Sequence, residues 1–151
     1  MKKIVLLLII SMMTIFAYGQ ELVQNNGLYY KRGALYTGTH VEKDDTGNTK
    51  LEINIVNGQP HGKMIIYYKS GEIKEQRFYH QGKKDSLWIT WDTNGNKTAE
   101  ARYDNGKKDG PWYIWDENGT LRYEMFYKDG KRTSTWKMWN EKGELISTKE
   151  F

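Results

Sequence analysis

The chain has 151 residues, a formal net charge of +4 and no cysteine. That length suits one domain, and so mild a charge excludes the concentrated basic face of a typical nucleic-acid binder. The lack of thiols excludes disulfide staples and a lipid attached through cysteine.

Residues Met1 to Gly19 read as a secretory signal peptide. Lys2 and Lys3 precede an apolar run from Ile4 to Ala17, and Ala17 and Gly19 are small residues suited to cleavage before Gln20. The run is shorter than the roughly 20 apolar residues of a membrane-spanning helix. The mature protein is therefore expected in the periplasm or outside the cell, with no transmembrane anchor and a charge lowered to +2 by loss of the two lysines.

Residues 20–37 form a weakly patterned lead-in or cap, in which Tyr29, Tyr30, Leu35 and Tyr36 suggest an edge strand covering the first repeat. From Gly38 to Phe151 the chain repeats. Gly58, Gly82, Gly106 and Gly130 lie 24 residues apart, as do Gly47, Gly71, Gly95, Gly119 and Gly143. Every tryptophan obeys the same step: Trp88, Trp112 and Trp136 form one series, and Trp91, Trp115 and Trp139 the other. A fixed period of this size marks a repeat architecture. A degenerate first unit runs from about Lys31 to Asn54. Clearer ones run from Ile55 to Phe78, Tyr79 to Arg102, Tyr103 to Phe126 and Tyr127 to Phe151.

Each unit holds two short runs of aromatic and β-branched residues separated by glycine-containing turns, which is the pattern of a β-hairpin. Trp112 to Trp115 reads as one strand and Leu121 to Tyr127 as the next. Between them, Asp116-Glu117-Asn118-Gly119 suits a type I turn closed by a left-handed glycine. Gly95 and Gly119 are thus expected at positive φ. Asp104-Asn105-Gly106 and Lys128-Asp129-Gly130 turn the chain into the following unit. The fold class expected is all-β: an elongated, twisted, open antiparallel meander of about five hairpin repeats.

The run Tyr103-x-Asn105-Gly106-Lys107-x-x-Gly110-x-Trp112-x-x-Trp115-x-x-x-Gly119 resembles the MORN repeat in its shorter bacterial variant, the unit of the YwqK-type antitoxins. The resemblance covers about Gly38 to Phe151. Ser86 and Ser134 depart from it by replacing the second glycine, and the first unit lacks the tryptophans. It implies a binding module, contact with phospholipids, or an antitoxin that neutralises a toxin by protein–protein contact.

Strand alternation gives a first division of faces. The three-residue loop sets the register, so Trp115 is expected to face Leu121 and Tyr113 to face Tyr123, with Met125 and Tyr127 further along. Leu87, Ile89 and Trp91 then share a face with Ala99, Ala101 and Tyr103, and Ile65, Tyr67 and Ile73 with Tyr79. This is the expected core of a curled sheet. Met64, Trp88, Trp112 and Trp136 are left on a polar face, among Lys74, Gln76, Thr98, Glu100, Arg122 and Glu124. There they are candidates to bind a protein partner, or to stack on a glycan. A bulge that turned both tryptophan series inward, or cover by terminal segments, would make them structural instead. Lys83, Lys84, Lys107, Lys108, Lys131 and Arg132 line one edge and are candidates for an anionic ligand such as a phospholipid head group. Their other reading is a solvated turn edge that discourages strand pairing.

No catalytic constellation is expected, because the notable residues are shared between units while an enzyme needs a unique convergence. No cofactor is implied. Asp92 to Asn96 and Asp116 to Thr120 faintly resemble the start of calcium loops but lack the distal glutamate. His40, His61 and His80 show no metal spacing. The functional expectation is an exported protein-binding or scaffolding module of the cell envelope; the alternatives are an antitoxin that neutralises a cognate toxin by direct contact and a surface protein that contacts glycan or phospholipid.

Overall fold

The computed structural model describes residues 22–151; the expected signal peptide and its cleavage site lie outside the described residues. Ten strands form one open antiparallel sheet in strict chain order. They are β4 (Gly38–Lys43), β5 (Thr49–Val56), β6 (Gln59–Tyr67), β7 (Ile73–His80), β8 (Lys83–Trp91), β9 (Lys97–Asp104), β10 (Lys107–Trp115), β11 (Leu121–Lys128), β12 (Lys131–Trp139) and β13 (Leu145–Glu150). The repeat expected from Gly38 onward is this meander.

Both kinds of reversal arise from their residues. In the first, the Gly119 N–H donates to the Asp116 carbonyl and the Asp116 N–H to the Thr120 carbonyl, each at 3.0 Å. Gly95 and Gly119 have φ of 82° and 78°, as expected of the left-handed position. The Asp92 carboxylate accepts the backbone N–H groups of Asn94 and Asn96 at 2.8 and 2.9 Å. The second reversal is a two-residue turn with both residues left-handed, such as Asn105-Gly106 at 48° and 88°. That is the type I′ geometry whose twist matches a hairpin.

Two irregularities recur in the sheet, and the first overturns the expected division of faces. Trp115 pairs with Leu121 as expected, but Ile114 pairs with Tyr123, so Arg122 is an extra residue in a β-bulge. The same bulge holds Lys50, Lys74, Thr98 and Ile146. One extra residue reverses the face of everything beyond it. Leu87 and Ile89 therefore pair with Arg102 and Glu100, not with the alanines, and Tyr113 pairs with Glu124, not Tyr123. Trp112 lies between Ala101 and Met125, not among the charged residues. Ala99, Ala101, Tyr103, Tyr123, Met125, Tyr127 and Tyr79 thus belong to the face of Trp112.

The second irregularity lies early in each first strand. Between the pairs Lys108–Tyr103 and Trp112–Ala101, β10 has three intervening residues against one in β9. The bulge centres on Gly110, with φ of 100°. Ser86 and Ser134 occupy the equivalent places and take the same left-handed backbone, at 53° and 60°. The departures at these serines therefore leave the bulge geometry intact at a steric cost.

The expected curled core is absent from the described residues. The buried hydrophobic side chains are Ile53, Ile55 and Ile65, at 2%, 1% and 8% exposure. The bulges divide the aromatic residues between both faces, so neither face is apolar enough to fold onto itself. The lead-in is a separate three-stranded sheet, β1 (Val23–Asn25), β2 (Leu28–Lys31) and β3 (Ala34–Leu35), rather than an edge strand of the main one. It docks through its backbone: the Tyr29 N–H donates to the Gly58 carbonyl, and the Gly58 N–H to the Tyr36 carbonyl, each at 2.8 Å. Gly58 has φ of 74°, and a Cβ there would sit 3.1 Å from the Tyr29 carbonyl oxygen as well as crowding Leu35, so glycine suits the close approach of the cap.

The backbone can be tested at the bulges and at the loops. A left-handed residue with a Cβ costs about 1–2 kcal/mol, partly offset by the chain entropy that glycine loses on folding. Ser86→Gly and Ser134→Gly should each stabilise the protein by about 0.5–1 kcal/mol, read as a higher midpoint of thermal unfolding. The Asn96 N–H, with further donors from Asn96 and Asn94, holds the Asp92 carboxyl below the ordinary range. Its contribution is complete above the unfolded-state pKa of about 3.9 and fades as pH falls through the folded-state value. Asp92→Asn should therefore melt below wild type at neutral pH, with the gap closing below about pH 3.9.

Candidate functional site

The second bulge seats Trp88, Trp112 and Trp136 between tyrosines contributed by the second strands. The result is one continuous aromatic row: Tyr79, Trp88, Tyr103, Trp112, Tyr127, Trp136 and Phe151. Successive ring centroids lie 4.7–5.4 Å apart in tilted or edge-on contact. Such pairs contribute about 0.5–1.5 kcal/mol each beyond burial. The indole N–H groups of Trp88, Trp112 and Trp136 donate to the carbonyls of Phe78, Arg102 and Phe126 at 2.9, 3.1 and 3.0 Å. Each tryptophan is thereby fixed at both its ring and its polar tip.

The basic pairs of the turn edge are split by strand alternation. Lys84, Lys108 and Arg132 turn onto the aromatic row, and Lys83, Lys107 and Lys131 remain exposed at the edge. Lys108 Nζ lies 4.0 Å from the Trp112 centroid and 4.6 Å from that of Tyr127. Lys84 makes the same bridge over Trp88 and Tyr103, and Arg132 over Trp136 and Phe151. Arg77 also lies over Trp88. Burial pushes the Tyr103 phenol up; Arg77 opposes this, and Tyr79 and Tyr127 add to it. The charge along the row is that of the cations resting on it.

The two faces, the ladder face along which the aromatic row runs and the opposite face, differ in what holds their cations. On the ladder face, rings rather than carboxylates hold Lys84, Lys108 and Arg132. Its carboxylates Glu42 and Glu75 are each taken by a neighbour, Lys50 and Arg77. On the opposite face, Glu100 and Glu124 are paired with Lys97 and Lys137 at 2.7 and 3.0 Å. Among the described residues, Lys84, Lys108 and Arg132 thus stand on the ladder face beside rings and without a carboxylate partner, while on the opposite face Lys63 and Arg102 are unpaired but have no aromatic row beneath them. Beside the row, Ala99, Ile114, Tyr123 and Met138 pair across β9 to β12 as an apolar band, in which Ile114 and Tyr123 are 38% and 39% exposed.

The other sequence candidates fall into place around this surface. Met64 shares the ladder face, paired with buried Ile53 on one side and Arg77 on the other. Asp85 and Asp109 serve the turns rather than a ligand: each carboxylate accepts the backbone N–H that opens the following turn, at Asn105 and Asp129. The Lys128 ammonium, followed by that Asp129 N–H, holds the Asp109 carboxyl below its ordinary range. Trp91, Trp115 and Trp139 occupy the opposite face, half-buried, where Tyr113 packs on Trp115. The tyrosines of the ladder, the shallow floor of Ala99 and Ala101, and Arg77 were not singled out by sequence as parts of a site. The 24-residue recurrence of Tyr79, Tyr103 and Tyr127 was the available signal.

The cavities beside this surface are defined by their lining residues. A cleft of about 420 Å³ between the cap and β4 brings Tyr29, His40 and Glu42 together without a nucleophile. No cluster of three or more histidine, cysteine or acidic residues able to hold a metal occurs among the described residues.

Two segments, residues 60–81 and 108–129, match the family model of the MORN repeat variant. They begin at equivalent positions two units apart and each spans a strand, a loop and the next strand. No curated protein matches the chain. MORN repeats are in general modules that bind proteins or membranes, and the segments matched here contain Lys108 and the row residues Tyr79, Trp112 and Tyr127.

The packing changes the expected roles of the tryptophans. Trp112→Ala removes ring contacts to Tyr103 and Tyr127, the seat of Lys108 and the bond to Arg102. It should destabilise the protein by about 2 kcal/mol, discounted from the 3–5 of a fully buried residue. Chemical denaturation should place it level with, or below, Trp115→Ala.

Proposed function

We propose that this protein is a binding or scaffolding module whose ladder face docks a protein partner. The observation that carries this is the asymmetry of a single-layer sheet: one face presents an apolar band beside cations that no carboxylate neutralises. A surface of aromatic and apolar groups with charge-selective neighbours is suited to specific contact. Among the described residues no second layer covers it along β8 to β12, which leaves it accessible there. The signal-peptide pattern of Met1 to Gly19 supports a partner in the cell envelope or outside the cell.

The resemblance to YwqK-type antitoxins supports a second reading, in which the docked partner is a cognate toxin. That reading uses the same face and adds a requirement: the partner must be a toxin whose activity is lost in the complex.

A photo-crosslinking residue in place of Ile114 probes the ladder face, and one in place of Lys63 probes the opposite face. Irradiation in envelope fractions should yield a discrete adduct from position 114 and none from position 63. Adducts from both positions alike, or from position 63 alone, would remove the assignment of the face.

A further inference from the structure

We propose that the ladder face takes an acidic peptide in the polyproline II conformation, with one carboxylate at every third residue. The inference rests on the ladder face being the docking surface and adds the chemistry of the partner.

Lys84, Lys108 and Arg132 stand at equivalent positions on β8, β10 and β12. Strands are 4.7–4.9 Å apart, so these cations recur every roughly 9.6 Å along the sheet. Each lies over a tryptophan and the aromatic residue after it, which fixes the position of its charge without neutralising it. A ligand that engages all three must present anions on one side at that interval.

The regular conformations of a peptide can be tested against this spacing. An extended β-strand puts residues two apart on one side at about 6.7 Å and residues three apart on opposite sides. An α-helix returns to the same side after seven residues, about 10.5 Å, and so drifts from the array by about 1 Å at each step. Polyproline II has three residues per turn and rises about 3.1 Å per residue, so every third side chain returns to the same side after about 9.3 Å. Only this form keeps register with the three cations.

The remaining surface agrees with such a ligand. Aromatic grooves receive polyproline II segments because the helix is preformed and loses little entropy on binding. The tilted rings of the row leave shallow ground between successive tryptophans, as at Ala101 between Trp88 and Trp112. Intervening prolines would rest there while the carboxylates reach the cations.

Two synthetic peptides of equal charge and composition test this. One carries glutamate at every third position in a proline background, and the other carries the same three glutamates contiguously. Calorimetric titration should show the first binding about tenfold more tightly than the second, and Lys108→Gln, still folded by circular dichroism, should lose about tenfold for the first peptide alone. Equal affinity for both peptides would overturn the proposal in favour of unspecific charge attraction. Binding to phosphatidylglycerol-containing vesicles with neither peptide bound would overturn it in favour of a membrane surface. If position 114 crosslinks a partner while neither peptide binds, the spacing argument fails and the docking face stands. If position 114 also captures nothing, both fall.

Discussion

A strand offers its side chains alternately to two faces, and this sheet breaks the alternation once in every unit. The extra residue at Lys50, Lys74, Thr98, Arg122 or Ile146 exchanges the faces of the strand that holds it. All other features of the surface depend on that exchange. It brings Tyr103 and Tyr127 to the side of Trp112 and sends Glu100 and Glu124 to the side of Tyr113. Without it, the tryptophans would stand alone among charges and the tyrosines would have no ring to meet.

A sheet so divided cannot rely on a buried core, and its stability has to come from contacts between neighbours. The ladder supplies one set, running through the middle of one face. The turns supply another: the N–H groups of Gly82, Gly106 and Gly130 donate to the carbonyls of Pro60, Lys84 and Lys108 at 2.7–2.8 Å. A third set runs along the loop edge, where the Tyr68 hydroxyl and the Arg122 guanidinium reach the carbonyls of Trp91 and Trp139 in the next unit. The cap adds cover where the first unit has no tryptophan, and there Ile53 and Ile55 are buried.

Much of the fold was legible in the sequence because turn chemistry is local. Asp116 and Gly119 specify a loop on their own, and a 24-residue recurrence specifies its repetition. The bulge was not legible, because the five residues that form it share no chemical property: two lysines, a threonine, an arginine and an isoleucine. Their common feature is a place in the pairing, which composition does not record. The site followed the same division. The two tryptophan series were rightly separated by their odd spacing, yet their neighbours were misassigned. Likewise, the basic pairs were visible as pairs, but only the register decides that Lys108 covers a ring while Lys107 stays at the edge.

The turn hydrogen bonds reach back one unit and no further, and so do the ring contacts. Energy in such an array is a sum over adjacent units. Disorder that starts at one end has to travel through each junction in turn, as a zip fastener opens tooth by tooth. The same reach means that a whole unit can be inserted or removed without disturbing the geometry of its distant fellows. Length along the sheet is therefore a free variable of the design, and with it the number of cations presented in a row.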